Sequence, residues 1–125
     1  MKKSVLIVDD TTNFRQSLAA SLRREGFDVL CAANGEEALR FAESNSLSVI
    51  LLDIGMPKKD GLSCLEALRK SDANKETPVI MLTARADQES VIRAKTLGID
   101  SYLLKASFST GELVDRIHKI IGPTA

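Results

Sequence analysis

The sequence has no Trp, and it has few of the residues that build zinc sites or disulfide frameworks, with one His and two Cys among 125 positions. Cys31 and Cys64 stand alone, without a CxxC spacing, so neither kind of site is indicated. We interpret both cysteines as small buried hydrophobic residues.

No charge of one sign dominates, because 17 Lys and Arg residues balance 17 Asp and Glu residues. Such a chain has no broad positive surface, so we predict no direct binding to nucleic acid or to a membrane. The apolar run after Lys2 and Lys3 ends at Asp9 and Asp10, too early for a signal peptide. No stretch approaches the roughly 20 apolar residues that span a bilayer. The expected location is cytoplasmic.

Short apolar runs recur along the chain at strand length. They do not alternate with polar residues, which is typical of parallel strands covered on both faces. The runs are Val5 to Val8, Val29 to Ala33, Val49 to Leu52, Val79 to Leu82 and, more weakly, Tyr102 to Leu104.

Helical patterns separate these runs. Phe14, Leu18 and Leu22 share one face of the first predicted helix, and Ser109 with Glu112 has the spacing of a capping box for the last. Strand then helix, repeated with short connections, predicts an α/β sandwich with a parallel sheet and right-handed crossovers. The length fits a single domain over residues 1–125.

Chemically active side chains follow most of the predicted strands. In a doubly wound sheet the functional crevice lies at the carboxyl ends of the strands. Asp10 or Thr11 could simply cap a helix, and a lone Thr or Lys is usually solvated. Three clustered acids, however, would repel one another without a cation, which favours a Mg²⁺ site. The residues at this edge are Asp9, Asp10, Asp53, Thr83 and Lys105.

A carboxylate at the centre of such a site can act as the nucleophile towards a phosphoryl group, and Asp53 is the best candidate because a loop follows it. Asp9 and Asp10 would hold Mg²⁺, while Lys105 and Thr83 would bind the phosphoryl oxygens. The Gly-rich motifs for nucleoside triphosphates and dinucleotides are absent. A flavin site is disfavoured, because aromatic residues make up only 4% of the chain and the acids would repel a flavin phosphate.

With these residues in these positions, the sequence resembles the receiver domain of bacterial two-component response regulators. The resemblance covers essentially the whole chain and implies a (βα)5 flavodoxin-like sandwich with strand order 2-1-3-4-5. It rests on Val8-Asp9-Asp10, on Asp53-Ile54-Gly55-Met56-Pro57 with Asp60-Gly61, on Pro78 to Ala84, and on Leu97 to Lys105.

The resemblance implies a phosphoacceptor signalling switch, not an enzyme in the usual sense. Asp53 would accept a phosphoryl group from the His of a sensor histidine kinase or phosphotransfer protein, in a reaction that the domain catalyses itself, and slow dephosphorylation would follow. Mg²⁺ would be held by Asp10 directly, by Asp9 largely through water, by Asp53 and by the Gly55 carbonyl.

The same resemblance implies the output of the switch. Thr83 would move to the phosphoryl group and the Tyr102 ring would turn inward, although Tyr102 is also compatible with a half-buried residue at a sheet edge. The face of the fourth helix, fifth strand and fifth helix would then bind a downstream effector, an output domain or a second receiver as a homodimer.

Two departures from the family pattern affect these expectations. Ala106 follows Lys105 at a position where the family usually has Pro, often after a cis peptide bond. A cis bond to a residue other than Pro costs about 2.5 to 4 kcal/mol. We therefore expect a more mobile loop and a differently aimed Lys105. Gly55 carries no side chain over the site, which predicts a shorter-lived phosphoryl group.

Two other functions are compatible with parts of the sequence. A pseudo-receiver that binds partners without phosphorylation is supported only by Ala106. A Mg²⁺-dependent phosphohydrolase would need a second acid two residues after its nucleophile, where Gly55 stands. Phe14 could help to dock a kinase, but its place in the apolar stripe favours a core position.

Overall fold

Strands and helices alternate along the chain in the computed structural model, which describes residues 3–54, 61–84 and 88–122. None of the helices in these ranges is long and apolar enough to cross a membrane. The elements are β1 Ser4–Val8, α1 Thr12–Arg24, β2 Asp28–Ala32, α2 Gly35–Ser44, β3 Val49–Leu52, α3 Gly61–Lys70, β4 Val79–Thr83, α4 Gln88–Leu97, β5 Ser101–Leu104 and α5 Thr110–Ile121.

All the strands join one parallel sheet in the order β2-β1-β3-β4-β5, which confirms the predicted fold and strand order. The runs without alternation belong to strands that helices cover on both faces, so every residue of β3 and β4 is buried. β5 lies at one edge of the sheet, and there only Leu103 is buried while Tyr102 and Leu104 are exposed.

Two hydrophobic cores lie on opposite faces of the sheet. Successive side chains of a strand point to opposite faces, so Val5 and Ile7 join one core while Leu6 and Val8 join the other. The first core includes residues of α1 and α5, and the second includes residues of α2, α3 and α4. Both helical layers are thereby fixed against the strands whose carboxyl ends were predicted to carry the site.

Side-chain caps start two of the helices. Ser109 Oγ accepts a hydrogen bond from the Glu112 amide at 3.1 Å, as the capping-box spacing predicts, and Asn34 caps α2 in the same way. The start of α1 is different. Thr11 occupies the N-cap position, as one of the two capping alternatives had it, but its side chain makes no capping hydrogen bond.

The cysteines differ in burial. Cys64 is fully buried in the second core, as predicted, whereas Cys31 on the edge strand β2 is only half-buried. Both are free thiols. Burial raises the pKa of the Cys31 thiol, and the positive charges of Arg23 and Arg15 only partly oppose this. Cys31 therefore stays in the protonated thiol form at neutral pH.

The guanidinium of Arg69 joins the end of α3 to two neighbouring loops. Its Nη1 donates to the carbonyl oxygens of Asn74 at 2.9 Å and Thr77 at 2.8 Å. Its Nε and Nη2 donate to the Gly98 carbonyl at 3.0 and 2.7 Å. Burial lowers the pKa of Arg69, while the nearby Asp100 carboxylate opposes the shift. A longer bond of 3.4 Å runs from Nη1 to the Lys75 carbonyl. One side chain thus donates to four carbonyl groups that lie outside the helices and strands.

Replacing Arg69 with Met is expected to lower the free energy of unfolding by about 2 to 4 kcal/mol, because partly buried carbonyl groups lose their donors. Lys70→Met is the matched control. The Lys70 side chain is 76% exposed and forms a surface ion pair with Glu66, so its loss should cost under about 0.5 kcal/mol. Urea unfolding followed by circular dichroism measures both values, and similar losses in the two variants would contradict the role of Arg69.

Candidate functional site

The carboxyl edge of the sheet places the predicted site residues through backbone hydrogen bonds. Strand pairing continues one residue past three of the strands. The Asp9 amide donates to the Ala32 carbonyl at 3.0 Å, and the Asp53 amide donates to the Val8 carbonyl at 3.0 Å. The Lys105 amide donates to the Thr83 carbonyl at 2.9 Å. The sheet itself therefore fixes the backbone positions of these residues.

Three carboxylates meet at this edge, as the sequence predicted. One oxygen from each of Asp9, Asp10 and Asp53 can be chosen so that all lie within 4.8 Å of one another. Asp9 and Asp53 are only 2% and 6% exposed, whereas Asp10 faces solvent. This set of hard oxygen ligands, partly open to water, fits a divalent cation such as Mg²⁺. The predicted ligand Gly55 lies outside the described residues.

Lys105 supplies a positive charge inside this acidic cluster. Its Nζ forms ion pairs with Asp9 Oδ2 and, at 3.1 Å, with Asp53 Oδ2. Burial by itself would lower the pKa of Lys105, but the hydrogen bonds and charges of Asp9 and Asp53 outweigh this effect and raise it. The side chain is therefore an ammonium at neutral pH and balances part of the negative charge.

The loop after Lys105 is an ordered turn. The amides of Ser107 and Phe108 both donate to the Leu104 carbonyl at 3.1 Å, and the described peptide bonds are trans. Lys105 points at Asp53, so the expectation that Ala106 would leave a mobile loop and aim the lysine elsewhere is wrong. Backbone bonds and the two carboxylates hold the lysine without a proline.

Asp9 has partners that sequence reasoning missed. Its Oδ1 accepts from the Thr11 amide at 2.8 Å, and its backbone carbonyl accepts from Arg15 Nη1 at 2.7 Å. An arginine on an amphipathic helix is indistinguishable in the sequence from a solvated one, so no signal pointed to Arg15. Together with Lys105, these contacts hold Asp9 in one orientation beside Asp53.

The two predicted switch residues lie on β4, the neighbour of the strand that precedes Asp53, and on the edge strand β5. Thr83 is completely buried at the end of β4. Tyr102 is 37% exposed on β5, and the Lys95 ammonium lies over its ring, 5.8 Å from the centroid. This position agrees with an amphipathic residue at a sheet edge. The switching role of both residues stays a prediction.

Comparison with known proteins agrees with this fold. The family described as response regulator receiver domain matches residues 5–118. The transcriptional regulatory protein SrrA of Staphylococcus aureus (strain NCTC 8325 / PS 47) is 37% identical over 124 residues, which cover 99% of this chain and 50% of SrrA. The chain therefore spans about half the length of the curated relatives it matches.

Solved structures show the same architecture. The chemotaxis protein CheY4 of Vibrio cholerae matches with a TM-score of 0.90 at 32% identity, over 96% of this chain and 99% of CheY4. A second match is the receiver domain of the sensor histidine kinase PA1611 of Pseudomonas aeruginosa PAO1, with a TM-score of 0.89 at 31% identity. The match covers 98% of this chain and 99% of the PA1611 receiver domain, whose structure has a magnesium ion coordinated in the active site cleft. The chain belongs to the response regulator receiver domain family.

Proposed function

We propose that this receiver domain is a phosphoacceptor signalling switch in which Asp53 takes a phosphoryl group from the histidine of a sensor kinase or phosphotransfer protein. The observation that carries the proposal is the placement of Asp53, which lies among carboxylates suited to a divalent cation and 3.1 Å from the Lys105 ammonium. A carboxylate nucleophile beside an ammonium and a group of metal ligands suits phosphoryl transfer, which depends mainly on positioning and charge neutralisation.

In the proposed reaction a carboxylate oxygen of Asp53 forms a bond to phosphorus while the bond from phosphorus to the donor's imidazole nitrogen breaks. The electron pair of the broken bond returns to the imidazole, and the product is an aspartyl phosphate. The Lys105 ammonium would move from a carboxylate oxygen of Asp53 to an oxygen of the phosphoryl group. Thr83, at the end of the adjacent strand, would then donate a hydrogen bond from its hydroxyl group to another of these oxygens.

Asp9, Asp10 and Asp53 are the residues that would hold Mg²⁺, together with the Gly55 carbonyl predicted from the sequence. A bound Mg²⁺ supplies neutralisation and orientation of the phosphoryl oxygens. The oxygen ligands of this chain and the magnesium ion in the PA1611 receiver domain support this part of the proposal. Asp9, held by Thr11 and Lys105, would keep its oxygens in place as a ligand.

The output surface proposed here is formed by α4, β5 and α5. Exposed apolar side chains on two of these elements support it, since Ile92 is 55% exposed and Leu104 is 38% exposed. Movement of Thr83 and Tyr102 would change this surface for an effector, an output domain or a second copy of the domain. The cytoplasmic location and the absence of direct nucleic acid binding stay predictions.

The pseudo-receiver alternative loses its support in the structure. It rested on Ala106, and Lys105 reaches Asp53 despite that residue. No described contact favours the phosphohydrolase alternative.

Intact-mass spectrometry after incubation with a small-molecule phosphodonor and Mg²⁺ tests the proposed function. We expect one phosphoryl adduct on the wild type, and no adduct on Asp53→Asn or in the presence of a chelator. Asp72→Asn, an exposed aspartate outside the site, is the matched control and should retain the adduct. An unchanged mass in the folded wild type, or an adduct on Asp53→Asn, would contradict Asp53 as the acceptor.

A further inference from the structure

The Lys105 ammonium has an aromatic neighbour as well as its carboxylate partners. It lies over the ring of Phe14, 4.6 Å from the centroid. Phe14 stands in the first turn of α1, only four residues after Asp10, and is half-buried. The negative face of an aromatic ring attracts a cation within about 6 Å, and more strongly when water is partly excluded. The Lys105 side chain is 17% exposed, so its ammonium is largely shielded from solvent.

A second aromatic ring connects Phe14 to the loop that carries Lys105. The Phe14 and Phe108 rings meet edge to face, with centroids 6.2 Å apart and planes at 71°. Phe108 lies in the turn after Lys105, where its amide donates to the Leu104 carbonyl. Both rings also pack against the first hydrophobic core, as the apolar stripe of α1 predicted for Phe14. The aromatic pair therefore joins the loop of the lysine to the helix that begins beside Asp9 and Asp10.

We propose that Phe14 is a positioning residue for phosphoryl transfer, because its ring holds the Lys105 ammonium against Asp9 and Asp53. This inference rests on the proposed function. Lys105 has three rotatable donors on a flexible chain, and its turn contains no proline to restrict the backbone. The carboxylates attract the ammonium from one direction, and the ring face restricts it from another. Lys105 would then already be placed when the phosphoryl group arrives.

Two substitutions separate this role from simple core packing. Phe14→Leu keeps an apolar side chain against the core but removes the ring face, whereas Phe14→Tyr keeps the ring. We expect the rate of Asp53 phosphorylation by a small-molecule donor to fall about tenfold in Phe14→Leu and to stay within about threefold of wild type in Phe14→Tyr. Equal rates in the wild type and a folded Phe14→Leu would overturn the inference and leave the proposed function intact.

A double-mutant cycle with Lys105→Met identifies the route of the effect. If Phe14 acts through the lysine, Phe14→Leu should slow phosphorylation in the wild-type background but not in the Lys105→Met background. A residue that only stabilises the fold would slow both by the same factor. The same factor in both backgrounds would therefore overturn the positioning role.

Nuclear magnetic resonance of the full chain tests the contact without any phosphorylation. Protons on the Lys105 Cε should show an upfield ring-current shift in the wild type and in Phe14→Tyr, and this shift should disappear in Phe14→Leu. Ordinary Lys105 shifts in the folded wild type would overturn the inference. If the shift is present but the wild type takes up no phosphoryl group, the contact stands while the proposed function, and the role of Phe14 in it, fail.

Discussion

Gly61→Ala is expected to destabilise the domain by about 3 kcal/mol or more and to prevent phosphorylation of Asp53. A Cβ at Gly61 would lie 2.8 Å from the carbonyl carbon of Asp53 and would overlap that carbonyl oxygen and the Cα of Ile54. Both obstacles are backbone, so no rotamer change can relieve them. Relief requires movement of the backbone at Asp53 and Ile54 relative to Gly61, which would displace the Asp53 carboxylate from Lys105.

Gly111→Ala is the matched control for this prediction. Gly111 lies in α5, and its added Cβ would meet only Ser109 Oγ, at 4.0 Å. Alanine favours a helix over glycine by about 1 kcal/mol, so this variant should be as stable as the wild type or more stable, with unchanged phosphorylation. Thermal unfolding measures the stability of both variants, and intact-mass kinetics measures their rates of phosphorylation. A stable, fully active Gly61→Ala variant would show that the close approach to Asp53 does not constrain the site.

Lys105→Met is expected to change three measured quantities. Removal of the ammonium leaves Asp9 and Asp53 without their counter-charge, and the free energy of unfolding without divalent ions should fall by about 2 to 4 kcal/mol. Mg²⁺ should bind at least about fivefold more tightly, because the cluster loses a competing cation. Phosphorylation should nevertheless slow by at least about 100-fold, since one donor to the phosphoryl oxygens is missing.

The opposite signs of these effects separate a catalytic role of Lys105 from a purely structural one. Saturating Mg²⁺ should recover most of the lost stability but not the phosphorylation rate. Calorimetric titration, thermal unfolding and intact-mass kinetics give the three values, and Lys119→Met, which removes an exposed lysine of α5, should leave all of them near wild type. Weaker Mg²⁺ binding together with a normal rate would contradict the assignment.

The fold could be predicted because its strands carry continuous apolar runs. Strands such as Val49–Leu52 are buried on both faces and therefore differ clearly from amphipathic helices. The edge strand Ser101–Leu104 gave the weakest signal, because solvent covers part of it and its side chains alternate in burial. The convergence of Asp9, Asp53 and Lys105 was predictable for a topological reason, since parallel strands bring their carboxyl ends to one edge.

Contacts made by long flexible side chains could not be predicted. Arg69 donates to carbonyl groups in two loops, and the Phe14 ring contacts the ammonium of Lys105, 91 positions away. No sequence pattern indicates either contact. The expectation for Ala106 failed for a related reason. It considered the intrinsic preference of one peptide bond, whereas the carbonyls of Thr83 and Leu104 hold the loop through hydrogen bonds. Tertiary contacts here outweigh a local preference.

The continuation of strand pairing through Asp9, Asp53 and Lys105 links the proposed signalling chemistry to the integrity of the whole domain. Backbone hydrogen bonds tie these residues to the sheet, and the core strands of a domain generally open only at a free energy close to that of global unfolding. A partly unfolded chain would therefore have no acceptor site for a kinase to use. Only fully folded molecules would then be phosphorylated, and partly unfolded copies would not take part in signalling.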